Sequence, residues 1–288
     1  MPGTAARTGA RRVNPHLLQP TGPDAIVSML WRRRHLVLQM VRREVVTRYR
    51  GAIVGFAWSL LHPMLMLAVF TFVFSGVFKA RWNPGGDESA TSFALVLFVG
   101  LIIHTFFSEC LARSPTLMAG NSNFVKKVVF PLEVLPVAVV GSALFHATAS
   151  TLILLVGLVV TGSPVHPTLV LLPIVLAPLM IGTLGACWFL ASIGTFVPDT
   201  GQVIGIVNSA LLFLSPVFFP LSSLPEKYRA LVALNPLSLI IEQAREVAIW
   251  GRMPDWSALG LYTVGACLVC WSGFWWFQKT RKGFADVL

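Results

Sequence analysis

Charged residues are scarce in this sequence of 288 residues. Only 12% of the residues are Asp, Glu, Lys or Arg, whereas 55% are hydrophobic, and the mean hydropathy is +0.74. A soluble globular domain carries roughly 25% charged residues, so half of the usual polar surface is missing. This shortage excludes a water-soluble enzyme, a disordered chain and a nucleic-acid-binding domain, and it indicates an integral membrane protein.

Catalytic signatures are missing as well. The sequence holds no Gly-x-x-x-x-Gly-Lys phosphate loop, no His-Glu-x-x-His and no Gly-x-Ser-x-Gly, so the chain cannot bind ATP in the P-loop manner. Its 12 acidic residues are mostly scattered singly in loops, whereas an enzyme site needs convergent groups. We therefore expect no catalytic residue, no metal and no cofactor in this chain. The first 20 residues lack the apolar stretch of a signal peptide.

Long windows without charge locate the membrane spans. A spanning helix needs about 20 apolar residues, and the window from 134 to 198 is divided once, by the turn-forming residues 162–167. The pattern predicts an all-α integral membrane fold with six transmembrane helices, near 52–78, 90–111, 134–160, 168–195, 202–219 and 257–278.

Lysine and arginine divide unequally between the two sides of the membrane. With six spans, 16 of the 22 fall on the side of both termini and six on the other side. The positive-inside rule then predicts cytoplasmic N and C termini. The same division explains the net charge of +10 without a nucleic-acid partner.

The segment before the first span has its own pattern. Residues 1–23 are predicted to be a flexible cytoplasmic tail, and residues 24–50 an amphipathic interface helix with Asp24 as its N-cap. Its apolar stripe consists of Leu38, Val41, Val45 and Tyr49. A plain basic flank attracted to anionic lipid is the alternative.

Prolines interrupt the fifth span. Val203 to Ser215 covers only about 20 Å at 1.5 Å per residue, less than the membrane core, so we expect the span to continue in distorted form through Val217–Phe219. After it, the sequence predicts two short helices that dip into or lie along the outer leaflet, within residues 221–250.

Two sets of residues are candidates for function. Phe70, Phe74 and Phe78 share one helical face, and together with Phe213, Phe218 and Phe219 they are candidates to line a passage; lipid-facing or packing bulk is the alternative. The second cytoplasmic connection predicts a short helix between Asn121 and Pro131 that suits docking of a cytosolic partner. An ordinary basic loop is the alternative there.

Several stretches resemble type-2 ABC exporter permeases, particularly those that export lipid-linked O-antigen, wall teichoic acid or galactan. The most specific is Glu44-Val45-Val46-Thr47-Arg48-Tyr49-Arg50, followed by Gly51-x-x-x-Gly55-Phe56-Ala57-Trp58-Ser59-Leu60-Leu61-His62-Pro63. Residues 283–288, and Asn235-Pro236 followed by a helix with Glu242 and Arg245, are also similar. The resemblance runs from about Asp24 to the end of the sequence. The family's Arg-Asp between spans four and five reads Pro198-Asp199 here.

The resemblance implies an exporter transmembrane domain over 51–288 that forms a homodimer with two cytosolic ATPase subunits, which bind ATP and magnesium. It implies a coupling helix near 120–128 and short extracytoplasmic gate helices between spans five and six. The residues expected to contact the ATPase are Asn121, Phe124, Lys126 and Lys127.

The function implied is a permease subunit that moves a polyprenyl-diphosphate-linked polysaccharide across the plasma membrane. Arg48 and Arg50 are placed to attract the diphosphate, and the six phenylalanines are placed to contact sugars. A drug or lipid exporter of the same superfamily is one alternative. A membrane-embedded transferase for polyprenyl-linked sugar is another, and its candidate carboxylates are Glu44, Glu109, Glu133 and Asp199. Of these, Glu109 has Arg113 as a ready partner at i+4.

Overall fold

The structure is a computed structural model that describes residues 21–50, 55–77, 90–126, 130–223 and 225–288, and all regular structure within these ranges is helical. The α-helices are α1 (Pro23–Arg32), α2 (Arg34–Tyr49), α3 (Trp58–Phe70), α4 (Ala90–Arg113), α5 (Leu117–Gly120), α6 (Ser122–Lys126), α7 (Val134–Val160), α8 (Leu172–Phe196), α9 (Thr200–Leu214), α10 (Glu226–Ala233), α11 (Pro236–Ala248), α12 (Trp256–Thr280) and α13 (Phe284–Val287). Short 3-10 turns precede α3, α8, α10 and α13.

The predicted all-helical membrane fold is confirmed. Among the described residues, four helical stretches are long and apolar enough to cross a membrane: Phe93–Arg113, Val134–Val160, Pro167–Phe196 and Trp256–Val287. Two shorter apolar helices, Trp58–Phe74 and Thr200–Leu214, occupy the positions of the first and fifth predicted spans. A six-span topology therefore requires both shorter helices to cross the membrane as well.

The interface segment consists of two helices, whereas one helix was predicted over 24–50. The break lies at Arg33 (φ −108°, ψ 16°), whose side chain leaves the helix to reach Glu133. Gly22 occupies the N-cap, and Asp24 lies in the first turn instead.

Val45 of the predicted stripe is buried, and the side chain of Val41 fills the space beside Gly141 of α7. Leu38 of the same stripe is 64% exposed.

The first span changes its helical type part-way. Pro63 lies inside α3, and the helix continues as a π-helix over Thr71–Val77. The hydroxyl of Thr71 donates to the carbonyl of Leu67 at 2.7 Å, which keeps this polar side chain paired in apolar surroundings. Phe78 lies outside the described residues.

The regular helix of the fifth predicted span, α9, ends at Leu214. Ser215 is extended (φ −93°, ψ 151°) because it precedes Pro216, and a residue before proline is driven into extended backbone. The stretch through Val217–Phe219, predicted to be distorted, consists of turns and bends. The two short helices predicted after it are present as α10 and α11.

Helices α8 and α12 approach each other so closely at two glycines that no side chain would fit there. A Cβ atom built on Gly185 of α8 would overlap the backbone of Cys270, and one built on Gly273 of α12 would overlap the backbone of Gly185. Trp188 packs edge-on against Phe274 beside this contact, with ring centroids 5.0 Å apart. The two spans therefore form one closely packed unit.

The topology can be tested with single cysteines. In a variant whose four native cysteines are replaced by alanine, Asn123→Cys and Met253→Cys place thiols at two exposed positions, before the third and sixth spans respectively. A membrane-impermeant maleimide applied to intact cells should label position 253 and leave position 123 unlabelled until the cells are opened. Labelling of both positions from outside would contradict the predicted orientation.

Candidate functional site

A cluster of charged side chains joins α2 to α4 and α7 at the predicted inner side. The carboxylate of Glu109, which is 10% exposed, forms an ion pair with Arg48. Arg113 forms a second, longer ion pair with the same carboxylate, at 3.7 Å. Nδ1 of His146 lies 3.1 Å from the same carboxylate and 3.0 Å from the guanidinium of Arg48. The predicted Glu109–Arg113 pair is confirmed, and Arg48 is its closer partner.

The same helix α2 contacts the segment between the second and third spans. Glu44 forms an ion pair with Arg113. Arg43 donates to Oδ1 of Asn121 at 3.0 Å, and its guanidinium lies 5.1 Å from the ring centroid of Phe124. Arg43 therefore links the interface helix directly to the predicted coupling helix.

The predicted coupling helix is divided into two short helices, α5 and α6, that meet at Asn121. The side-chain amide of Asn121 donates back to the carbonyl of Leu117 at 3.0 Å, which satisfies the end of α5. Phe124 stacks on Phe130 with ring centroids 4.5 Å apart, and Lys126 is exposed. Lys127 lies outside the described residues.

Glu133, just after the coupling segment, holds three parts of the chain together. Its side chain is 1% exposed and pairs with Arg33 at 2.6 Å and with Arg281 at 3.1 Å. Its carbonyl accepts a hydrogen bond from the indole of Trp188 at 3.0 Å. Two arginines are needed because a carboxylate this deeply buried is costly without close partners.

Four of the predicted aromatic residues form a row at the predicted outer side. The ring centroids are 6.3 Å apart for Phe70 and Phe74, 6.2 Å for Phe74 and Phe218, and 6.2 Å for Phe213 and Phe218. Phe74 also packs against Phe93 of α4. The row thus begins at the half-buried Phe70 of the first span and ends at Phe213, which is 70% exposed. Phe219 is half-buried beside it.

Arg245 of α11 stabilises the broken end of the fifth span. Its guanidinium is 1% exposed and donates to three carbonyls, those of Val96 (3.1 Å), Pro216 (2.6 Å) and Val217 (2.8 Å). Burial lowers the pKa of Arg245 to about 10, and the nearby carboxylate of Glu242 partly offsets this effect, so the side chain stays protonated at neutral pH. Gly100 leaves the room that this arginine occupies.

Two of the four carboxylates considered for a transferase come together, because Glu44 and Glu109 share Arg113 as a partner. Glu133 is paired with arginines elsewhere, and Asp199 is exposed at the start of α9. Among the described residues, no group of three or more His, Cys, Asp or Glu is placed to hold a metal. Glu44, Glu109 and Glu133 are thus counter-ions of arginines.

Sequence reasoning found Glu109 and Arg113 but missed the longer-range partners. Arg33, Arg43 and Arg281 reach their acceptors across large separations in the chain, for which a single sequence gives no signal. The sequence does give a signal for Arg245, because this residue lies between Ala244 and Val247 of the apolar stripe of α11. A charged residue at such a position must find buried acceptors.

The geometry describes a multi-pass membrane protein, and comparison with known proteins places it in a family. The family model for the ABC-2 type transporter matches residues 35–249, so this chain belongs to the ABC-2 transporter family and is one of its transmembrane permease subunits. Members of this family work with a separate cytosolic ATPase subunit.

Three relatives show how far the similarity extends. The O-antigen export system permease protein RfbA of Myxococcus xanthus is 28% identical over 91% of this chain and 99% of its own length. A Klebsiella pneumoniae protein of the same name is 24% identical over 88% of this chain and 95% of its own length. The polysialic acid transport protein KpsM of Escherichia coli is 26% identical over 74% of this chain and 81% of its own length.

Replacing Arg245 should destabilise the fold much more than replacing an exposed arginine. In Arg245→Met three buried carbonyls lose their donor, and we expect the free energy of unfolding to fall by about 3 kcal/mol or more. Arg252→Met removes an arginine that is 71% exposed and 3.6 Å from Glu246, so a change below about 1 kcal/mol is expected. Denaturation in mixed micelles measures both; equal losses would contradict the structural role of Arg245.

Proposed function

We propose that this chain is the permease subunit of an ATP-driven exporter that moves a polysaccharide carried on a polyprenyl diphosphate across the bacterial plasma membrane. The observation that carries the proposal is the similarity to an O-antigen export permease over 91% of this chain and 99% of that relative. The polar and aromatic contacts described above are consistent with it, since fixed charges lie at the inner side and a row of rings lies at the outer side.

The proposed assembly is a homodimer with two cytosolic ATPase subunits, and these subunits bind ATP and magnesium. Helices α3 and α9 support a dimer because they present exposed apolar side chains, such as Val69 (51%) and Ile206 (72%). A second copy of the chain packed on these faces would enclose a path between the two subunits. Both termini are cytoplasmic in this arrangement.

Deleting the gene tests the proposed function and separates it from a drug or lipid exporter. A cell lacking this permease should lose surface polysaccharide and accumulate the polyprenyl-linked polymer inside, while its resistance to toxic apolar compounds stays unchanged. Intact surface polysaccharide together with lowered resistance would support the rival exporter. Sugar transfer by the purified chain without an ATPase would instead identify a transferase.

The aromatic row is proposed to contact the moving glycan. Sugars pack their C–H faces on aromatic rings. The row consists of Phe70, Phe74, Phe218 and Phe213, and its exposed end, Phe213, lies toward the predicted outer side, where the polymer would leave the permease. Phe78 and Phe219 extend the same proposal, the first outside the described residues. Packing against neighbouring rings explains Phe70, Phe74 and Phe218 without any contact to a sugar. The exposed Phe213 is therefore the position at which a contact with the glycan can be tested.

Phe213→Leu should slow export without affecting the fold. Leucine keeps an apolar side chain but removes the flat ring, and losing roughly 0.5–1.5 kcal/mol of stacking corresponds to about a two- to ten-fold lower export rate. Phe72→Leu is the matched control, because Phe72 is 69% exposed and outside the row. Export is measured in vesicles that contain the permease and its ATPase. Equal export rates for the two variants would indicate that Phe213 faces lipid and does not contact the glycan.

The segment α5–α6 is proposed to transmit motion from the ATPase. Asn121, Phe124 and Lys126 lie on it, and Lys127 follows beyond the described part. Arg43 extends the route, because it contacts both Asn121 and Phe124 while its neighbour Glu44 pairs with Arg113 at the end of the second span. A displacement of α6 would therefore move α2 and α4 together.

Arg43→Ala should uncouple ATP hydrolysis from export. The variant loses both contacts with the coupling segment, so we expect several-fold more ATP hydrolysed per polymer exported, with the dimer intact. Arg42→Ala is the control, since Arg42 is exposed and forms no ion pair within the described residues. Arg43→Lys retains the cation and should recover part of the coupling. An unchanged ratio in Arg43→Ala would exclude this route.

A further inference from the structure

The connection between α4 and α7, residues 114–133, is fastened to α8 where it begins. A Cβ atom built on Gly194 of α8 would overlap the carbonyl group and the Cα atom of Pro115. Met118 of α5 is fully buried, and it belongs to the same apolar cluster as Trp188 of α8. Because protein interiors are close-packed, the beginning of this connection cannot be displaced without displacing α8.

The end of the same connection is fastened to α12 through Glu133. Its carboxylate lies 3.1 Å from Arg281, and the guanidinium of Arg281 also donates to Oε1 of Gln278 in α12 at 3.0 Å. The side chains are 1% exposed for Glu133 and 13% exposed for Arg281. A buried ion pair is screened by salt much less than an exposed one, so this contact holds the two segments firmly together.

The short helix α13 fills the space between these two attachments. Phe284 is fully buried, and its ring centroid lies 5.8 Å from that of Phe196 and 5.4 Å from that of Phe277. Phe124 of α6 and Leu288 pack against the same apolar cluster. Helix α6 therefore rests on the ends of α8 and α12 through side chains of α13.

Helices α8 and α12 are also joined to each other at this end. The hydroxyls of Ser192 and Thr280 are hydrogen-bonded at 2.6 Å, in addition to the close contact at Gly185 and Gly273. A force applied to either helix is therefore shared by both.

We propose that the connection 114–133 forms one rigid body with α8 and α12, so that an ATPase that displaces α5 and α6 moves spans four and six with them. Arg281 carries the attachment to α12 through Glu133 and is therefore a positioning residue. This route is separate from the contact of Arg43 with α2. The inference rests on the proposed function, since it assigns a second path of coupling to the same permease.

The two arginines on Glu133 provide a matched pair of variants. Arg281→Met leaves the carboxylate paired with Arg33, and Arg33→Met leaves it paired with Arg281. Neither variant leaves a buried charge without any partner, which is the case that destabilises strongly. Only Arg281→Met, however, removes the attachment to α12.

The ratio of ATP hydrolysed to polymer exported, in vesicles that contain the permease and its ATPase, tests this route. Arg281→Met should raise the ratio several-fold, and Arg281→Lys, which retains the cation, should recover part of the coupling. Arg33→Met should give the ratio of the unaltered chain. So should Lys282→Met, which removes an exposed cation without an ion pair among the described residues. Equal ratios for Arg281→Met and Arg33→Met would overturn the proposal, because a purely structural role of Glu133 predicts them.

A distance measurement tests the rigid body without any polymer. Nitroxide labels are attached at Asn123→Cys in α6 and at Leu268→Cys in α12, both exposed positions, in the variant that lacks native cysteines. The labelled chain is diluted with unlabelled chain, so that only distances within one chain are measured, and is bound to its ATPase. Addition of ATP should leave the distance unchanged in the unaltered chain and in Arg33→Met, and should change it in Arg281→Met.

The outcomes of the distance measurement are separate from those of the proposed function. A distance that changes in the unaltered chain, or that stays constant in Arg281→Met, would overturn the rigid body. If Arg281→Met does not fold, Arg281→Gln retains a hydrogen-bond donor without the charge and should give a smaller change; no change would again overturn the proposal. If the unaltered permease exports no polysaccharide while the distances behave as expected, the proposed substrate fails and the attachment through Arg281 stands.

Discussion

Backbone polar groups at membrane depth must find partners within the protein, and this constraint governs the shape of the outer half of the molecule. Helix α9 ends before it has crossed, which exposes the carbonyls of Pro216 and Val217. A buried arginine from α11 supplies the missing donors, and Asn235 bonds to Ser215 at 2.9 Å beside it. The broken span and the two short helices after it are therefore one structural unit, since neither is satisfied without the other.

The inner half depends on charge pairing of a different kind. Glu109 and Glu133 are both buried carboxylates with more than one cationic partner, yet their surroundings differ. Glu133 is enclosed by Arg33 and Arg281 and fixes the kink between α1 and α2. Glu109 instead holds Arg48, which is 47% exposed, together with Arg113 and His146. The first cluster is enclosed by protein, and the second reaches solvent through Arg48.

The spans were predictable because the membrane imposes a length and a composition on them. Val134–Val160 has the bounds that the charge-free window indicated, and α12 differs by a residue or two at each end. The division at Arg33 was not predictable, since its partner Glu133 is distant in sequence, whereas the interruption after α9 followed from Pro216. For the site, the sequence predicted the Glu109–Arg113 pair, which the structure confirms. The roles of the aromatic residues and of the α5–α6 segment stay predictions. The sequence suggested that Arg48 attracts a diphosphate but gave no indication that Glu109 already holds this arginine.

The glycine contact between α8 and α12 has a consequence for biogenesis. Gly185 lies against the backbone of Val269 and Cys270 in α12, and Gly273 lies against the backbone of Gly185, so the face of α8 that carries Gly185 lacks its partner until α12 has been synthesised and inserted. During that interval lipid or an insertion chaperone must cover the surface of α8 around Gly185. Alanine at either glycine would therefore act mainly on the yield of assembled protein, and its effect would be seen as degradation of nascent chains before any change in transport.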